Sequence, residues 1–215
     1  MVKKVVIFDF DGTIADTLDS VVNIVNPLSD EFGIKKVPEE NIDELRNKKL
    51  REILKDSGIS MLKMSSMARR IKSELNKQIE YVRPVLGIEE ALLGLKEKKY
   101  KLGILTSNSK ENVSKFLRKN NLDLFDFIHS ESSIFGKSKA MHDLLKKHGI
   151  RPEEAIYVGD ETRDIEAARK TNIEIVAVSW GYNSKQLLEK QNPDFLIDNP
   201  RQLIEILGGL RKPAS

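Results

Sequence analysis

The apolar run Val5-Val6-Ile7-Phe8, ending in Asp9-Phe10-Asp11-Gly12-Thr13, constrains this chain more than any other stretch. A short run without polar alternation reads as a strand buried on both faces, the kind found in parallel sheets. Two carboxylates two positions apart at the end of such a strand are costly unless a cation sits with them. An oxygen-only ligand set points to Mg²⁺ rather than Zn²⁺. Asp-Gly is also a common turn signal, so a plain strand-to-turn exit is the alternative.

Further apolar runs lie at 101–105, 127–129, 155–158, 173–178 and 195–197, each bounded by turn residues. Helical periodicity falls between them. It covers 88–98 (Ile88, Ala91, Leu92, Leu95), 110–119 (Val113, Phe116, Leu117), and 139–148, which stops at Gly149. Shorter helices are expected at 164–170 and 200–207. This alternation predicts an α/β fold, a doubly wound, mainly parallel sheet of Rossmann-like type. Residues 16–83 do not alternate. They carry amphipathic periods at 18–32, 42–56 and 61–81 and no strand signal, and they are too long for a simple loop. They read as an inserted α-helical cap, leaving 1–15 and 84–215 as the α/β core.

Composition narrows the function. Of the 215 residues, 40% are hydrophobic and 32% charged, as in a globular protein, and no apolar run nears the ~20 residues of a membrane span. The run before Asp9 is too short for a secretory signal. The 36 Lys+Arg are interspersed with 33 Asp+Glu, and aromatics make up 6%. That is a solvated surface, not a nucleic-acid stripe. The absence of Cys removes disulfide and thiol chemistry. The expectation is a cytoplasmic monomer or homodimer that binds neither membrane nor nucleic acid.

Ligands in open α/β sheets sit beyond the carboxyl ends of the strands. Those ends carry Asp9 and Asp11, then Thr106-Ser107-Asn108, then Gly159-Asp160-Glu161-Thr162-Arg163-Asp164; Gly136-Lys137-Ser138-Lys139 opens an intervening helix. Each has a bland reading. Asp160-Glu161 could cap a helix, and Thr106 could be a turn residue. Either Lys137 or Lys139 could supply the cation of such a site, Lys137 being favoured because it follows Phe135-Gly136. His129, His142 and His148 lie outside these segments and read as structural or surface groups. Trp180-Gly181-Tyr182 could line a pocket rim, and core packing or loop anchoring is at least as good a reading.

Taken in order, these four segments resemble the four motifs of the haloacid dehalogenase-like hydrolase superfamily. The helical insertion resembles its small cap, most closely in the phosphoglycolate-phosphatase-like branch. One departure stands out: the lysine of that branch is often followed by prolines, where Ser138 and Lys139 stand here. The resemblance implies phosphoryl transfer. Asp9 is then the nucleophile forming an aspartyl-phosphate, and Asp11 protonates the leaving oxygen and later deprotonates water. Asp160 would hold Mg²⁺ with Asp9 and the Asp11 backbone carbonyl. Asp164 would either reach the metal through water or orient Lys137. Thr106, Lys137 and the Gly12 turn would bind phosphoryl oxygens, with Ser107 and Asn108 as further phosphate ligands.

Asp11 argues against the dehalogenases and phosphonate-cleaving relatives, which lack an acid there. The mutase relatives place a histidine in the cap, and residues 16–82 contain none. The expected function is a Mg²⁺-dependent phosphatase acting on a small phosphorylated metabolite, phosphoglycolate-like or a sugar phosphate. The alternatives are a phosphosugar mutase of this fold or a non-catalytic phospho-metabolite-binding protein. Arg46, Lys48 and Lys49 fall where related caps carry their substrate loop. Arg46 is therefore expected to meet a substrate carboxylate or second phosphate and to affect KM more than kcat; a solvated basic helix face is the rival reading.

Overall fold

The computed structural model describes residues 3–130 and 136–209, with the backbone alone at 61 and 62. Six strands, β1 (Val5–Phe8), β2 (Lys101–Thr106), β3 (Phe127–Ser130), β4 (Ala155–Gly159), β5 (Glu174–Val178) and β6 (Phe195–Ile197), form one sheet. Its order is β3-β2-β1-β4-β5-β6, and all five pairings are parallel. The chain winds outward from β1 to β3 on one side and from β4 to β6 on the other. The topological switch point, where ligands of such sheets bind, therefore lies between β1 and β4.

Strand side chains alternate between two apolar layers, as a period of two requires. Val6, Phe8, Ile104, Val158 and Val176 face one core together with Leu92 and Leu95 of α5 (Ile88–Glu97), Phe116 of α6 (Lys110–Lys119) and Leu207 of α10 (Gln202–Gly209). Val5, Ile7, Tyr157, Ile175 and Ala177 face the other with Leu144 of α7 (Lys137–His148), Ile165 and Ala168 of α8 (Thr162–Thr171) and Leu188 of α9 (Lys185–Glu189). Both faces are covered, which is why the strands read as unbroken apolar runs. Phe8 pairs with Ile104 of β2 and Val158 of β4. That register brings the chain beyond β1, β2 and β4 out at one edge.

Between β1 and α5 lie four helices and no strand among the described residues: α1 (Leu18–Phe32), α2 (Ile42–Arg46), α3 (Leu50–Asp56) and α4 (Met61–Gln78). Ile24, Leu28, Phe32, Met67, Leu75 and Ile79 are buried, and this helical segment shares the first core. The helix expected over 42–56 is broken in two. The Arg46 and Lys48 carbonyls, which an unbroken helix would use, accept instead from Ser184 N (2.9 Å) and Asn183 Nδ2 (3.3 Å) of the α/β core. Lys49 turns extended, and its N–H donates to Glu52 Oε2 (2.8 Å), starting a fresh helix.

Candidate active site

Asp9, immediately after β1, is 4% exposed. Its Oδ1 accepts from Phe10 N (2.8 Å), and its Oδ2 accepts from Lys137 Nζ (2.5 Å). The same ammonium pairs with Asp164 Oδ1 and lies 5.4 Å from the Tyr157 ring centroid. Asp164 also closes the start of α8: its Oδ2 accepts from Glu161 N (2.9 Å), in a capping box with Glu161. Lys137 is the first residue of α7, whereas Lys139 points outward to Asp143 (2.7 Å). Phe135, which favoured Lys137 in the sequence, lies outside the described residues.

Asp160, beyond β4, is fully buried. Thr13 Oγ1 donates to its Oδ1 (2.7 Å) and Tyr182 N to its Oδ2 (2.7 Å). Two glycines leave room for it. A Cβ at Gly12, whose φ is +80°, or at Gly181 would collide with the Asp160 carboxylate. Asp9, Asp160 and Asp164 each offer an oxygen, all within 4.8 Å of one another. Hard oxygen donors alone, converging in a buried site, fit Mg²⁺. The electrostatics agree, because the acids here outnumber their cations. Burial first, then the charges of Glu161, Asp164 and Asp9, push Asp160 well above the usual carboxylate range. Burial raises Asp164 to about 6 despite the pull of Lys137. Burial would lower the Lys137 ammonium, but Asp164 and Asp9 override it and hold its pKa well above the lysine norm. A divalent ion could supply the missing positive charge.

Asp11 stands apart from this triad. Its Oδ1 is buried without a hydrogen-bond partner among the described residues. Burial, then the Asp9 charge, push its carboxyl up to about 7, against the Asn108 amide, Arg163 and Lys137. A carboxylic acid of that strength can hold or release a proton near neutral pH.

The turn after β2 is locked from within. Thr106, 2% exposed, accepts from Asn108 N (2.9 Å) through its hydroxyl, and Asn108 Oδ1 accepts from Ser109 N (2.8 Å). The Ser107 carbonyl accepts from Lys72 of α4, a link to the helical segment. Arg46, at the end of α2, turns toward the loop after β5. Its NH2 donates to Ser179 O (2.9 Å), its Nε to Gly181 O (3.2 Å), and its NH1 lies 3.6 Å from Asp43. An open groove beside α3 reaches Lys137, lined in part by Arg51, Ser138, Thr162, Arg163 and Lys170. Glu166 on the same wall pairs with Lys49 (3.8 Å).

Lys72 and Asn183 carry no signal in the sequence that marks a role at the site, and Thr13 stands in the first motif without a role of its own. Trp180-Gly181-Tyr182 reads there as a pocket rim, core packing or a loop anchor, and anchoring is what the loop does. Trp180 Nε1 donates to Thr13 O (3.1 Å), and Tyr182 Oη shares a hydrogen bond with Thr17 (3.0 Å). His148 stacks on Phe127 with ring centroids 4.1 Å apart, a packing role.

Comparison with known proteins identifies the family. The family model described as haloacid dehalogenase-like hydrolase matches residues 6–178. A phosphoglycolate phosphatase of Synechococcus elongatus is 34% identical over 210 residues, covering 97% of this chain and 99% of that protein. The pyrophosphatase PpaX of Bacillus cereus is 25% identical, covering 96% of this chain and 97% of its own. The crystal structure of a predicted phosphatase from Clostridium acetobutylicum shares the fold, with a TM-score of 0.84 at 19% identity over 97% of this chain and 100% of that one. The chain thus belongs to the haloacid dehalogenase-like hydrolase family, in its phosphoglycolate-phosphatase-like branch, and is a phosphatase.

Proposed function

We propose that this protein is a Mg²⁺-dependent phosphatase that hydrolyses a small phosphate ester carrying a second anionic group, of which phosphoglycolate is the leading example. The observation that carries the reading is the Asp9 carboxylate, buried against Lys137 within a converging triad of acids. Asp9 attacks phosphorus, forming an O–P bond as the bond to the substrate's leaving oxygen breaks. Asp11 gives that oxygen its proton. Asp11, now ionised, takes a proton from water as the water attacks the aspartyl-phosphate; phosphate leaves and Asp9 is restored. Lys137 and the Thr106 hydroxyl steady the phosphoryl oxygens. Asp9, Asp160 and Asp164 would hold the ion, together with the Asp11 carbonyl that the family resemblance implies. When bound, it offsets the charge gathering on the transferring group and lets two anions meet.

Two features support a doubly anionic substrate. The groove reaching Lys137 carries Arg51, Arg163 and Lys170 on its wall. The 34%-identical relative is a phosphoglycolate phosphatase. In this reading, residues 16–83 act as a cap that excludes water from the acids. The test is phosphate release from phosphoglycolate, pyrophosphate, sugar phosphates and p-nitrophenyl phosphate, with Mg²⁺ or with chelator. Metal-dependent turnover that is lost in Asp9→Asn and highest with phosphoglycolate is expected. Turnover surviving in Asp9→Asn refutes the nucleophile, and preference for pyrophosphate refutes the substrate class.

A further inference from the structure

Arg46 lies in the helical segment, yet two of its three guanidinium nitrogens are hydrogen-bonded to the loop at 179–184 of the α/β core. Nε and NH2 donate to the Gly181 and Ser179 carbonyls, and the Arg46 carbonyl accepts from Ser184 N (2.9 Å). Asn47 Oδ1 accepts from Ser184 Oγ (2.5 Å), so side chain and backbone grip the loop together. That loop also shapes the surroundings of Asp160. Tyr182 N donates to Asp160 Oδ2 (2.7 Å), and Asn183 N to the Asp160 carbonyl (3.3 Å). Gly181 abuts the carboxylate so closely that no Cβ fits. Trp180 Nε1 reaches Thr13 O, and Thr13 Oγ1 donates to Asp160 Oδ1 (2.7 Å). Among the described residues, the Asp160 carboxylate thus accepts from this loop, through Tyr182 N, and from Thr13, which the loop holds through Trp180.

We propose that Arg46 is a positioning residue: by clamping loop 179–184 it ties seating of the helical segment to the affinity of the acid cluster for its divalent ion. The inference rests on Asp160 being a metal ligand, as proposed above. Partners that orient a metal ligand typically alter affinity when removed. Coupling of this kind is reciprocal, so the ion must also hold the helical segment down. Arg46 then has little freedom to serve as a substrate ligand while the clamp is closed. Lys49 provides the contrast. It fastens the same segment to Gln191 (3.1 Å) and Glu166 (3.8 Å), neither of which is hydrogen-bonded to Asp160.

Trp180 is the single tryptophan of the chain, so its emission reports on this loop. Mg²⁺ alone, without substrate, is titrated into the full-length protein, followed by Trp180 fluorescence and by calorimetry. Arg46→Ala is expected to weaken Mg²⁺ binding roughly tenfold, the lower bound for lost outer-shell partners. Arg46→Lys should fall between, because an ammonium lacks the fork that spans two carbonyls. Lys49→Ala should stay within about twofold of the parent, far below the coupling expected of Arg46. Mg²⁺ should also slow amide exchange over 42–56 in the parent and not in Arg46→Ala. Unchanged Mg²⁺ affinity in Arg46→Ala overturns the inference, whether or not KM rises, and so does an equal loss in Lys49→Ala. Failure of the parent protein to bind Mg²⁺ would instead remove the metal reading itself, and the inference with it.

Discussion

Asp9 and Asp11 are two residues apart, yet their surroundings differ, and the proposed mechanism assigns them different work. Asp9, the proposed nucleophile, is paired with Lys137. Asp11 has burial and the Asp9 charge against it, and its carboxyl rises to about 7. Separation of two acids by environment is how one site supplies both a nucleophile and a proton donor. Asp11→Asn should therefore lower kcat toward phosphoglycolate by about 10²–10⁴-fold, the usual range for a lost general acid–base. p-Nitrophenolate leaves without needing a proton, so its ester separates the two steps. The variant should show a rapid burst of nitrophenol, stoichiometric with enzyme, followed by slow turnover as the aspartyl-phosphate waits for an unassisted water. Rapid mixing reads this directly, and absence of a burst removes Asp11 as the base of the second step. The motif acids were legible in the sequence because their side chains carry the chemistry. The contacts of Tyr182 and Gly181 with Asp160 were not, because one acts through a backbone N–H and the other through a missing Cβ.

The same division holds for helices and strands. The inner strands were readable because both faces of the sheet are covered, making them apolar runs; the edge strand β3, Phe-Ile-His-Ser, is only half-buried and gives a shorter run. The expected single helix over 42–56 failed because its break is set by Asn183 and Ser184, more than 130 positions away, and no local pattern records them. The short α9 was also missed, being one turn capped by Ser184. The break has a functional effect: it starts α3 afresh at Leu50 and brings Arg51 to the groove that reaches Lys137. If that groove receives the second anionic group of the substrate, Arg51→Ala should raise KM for phosphoglycolate several-fold. An exposed charge pair is typically worth about 0.2–1 kcal/mol, and a partly desolvated one more. kcat for p-nitrophenyl phosphate, which lacks that group, should not move. Equal KM changes for both substrates would place Arg51 outside specificity.

Gathering this many acids at one sheet edge sets how the fold responds to pH and metal. Asp11 and Asp164 have folded pKa values of about 7 and about 6 against a reference of 3.8. Between those limits the folded protein binds more protons than the unfolded chain, so stability falls as pH rises through the window. Asp160 is raised for the same reason and adds to the trend. His148 opposes it: burial lowers its pKa from 6.5, so its contribution to stability grows with pH. His148 packs on Phe127, away from the acids, and contributes equally with and without metal. The gap between Mg²⁺-loaded and chelated protein therefore isolates the cluster. At pH 5.5 the acids are partly protonated and the ion competes with protons, so the gap in melting temperature should be small. At pH 8 Asp164, with its carboxyl at about 6, is ionised, and a bound ion would compensate that charge. Mg²⁺ at about 100 times its Kd then contributes about 2.7 kcal/mol, or roughly 5–10 °C for a chain of this size. Scanning calorimetry at the two pH values, each with Mg²⁺ or chelator, decides it. A gap independent of pH would mean that the ion binds elsewhere than among Asp9, Asp160 and Asp164.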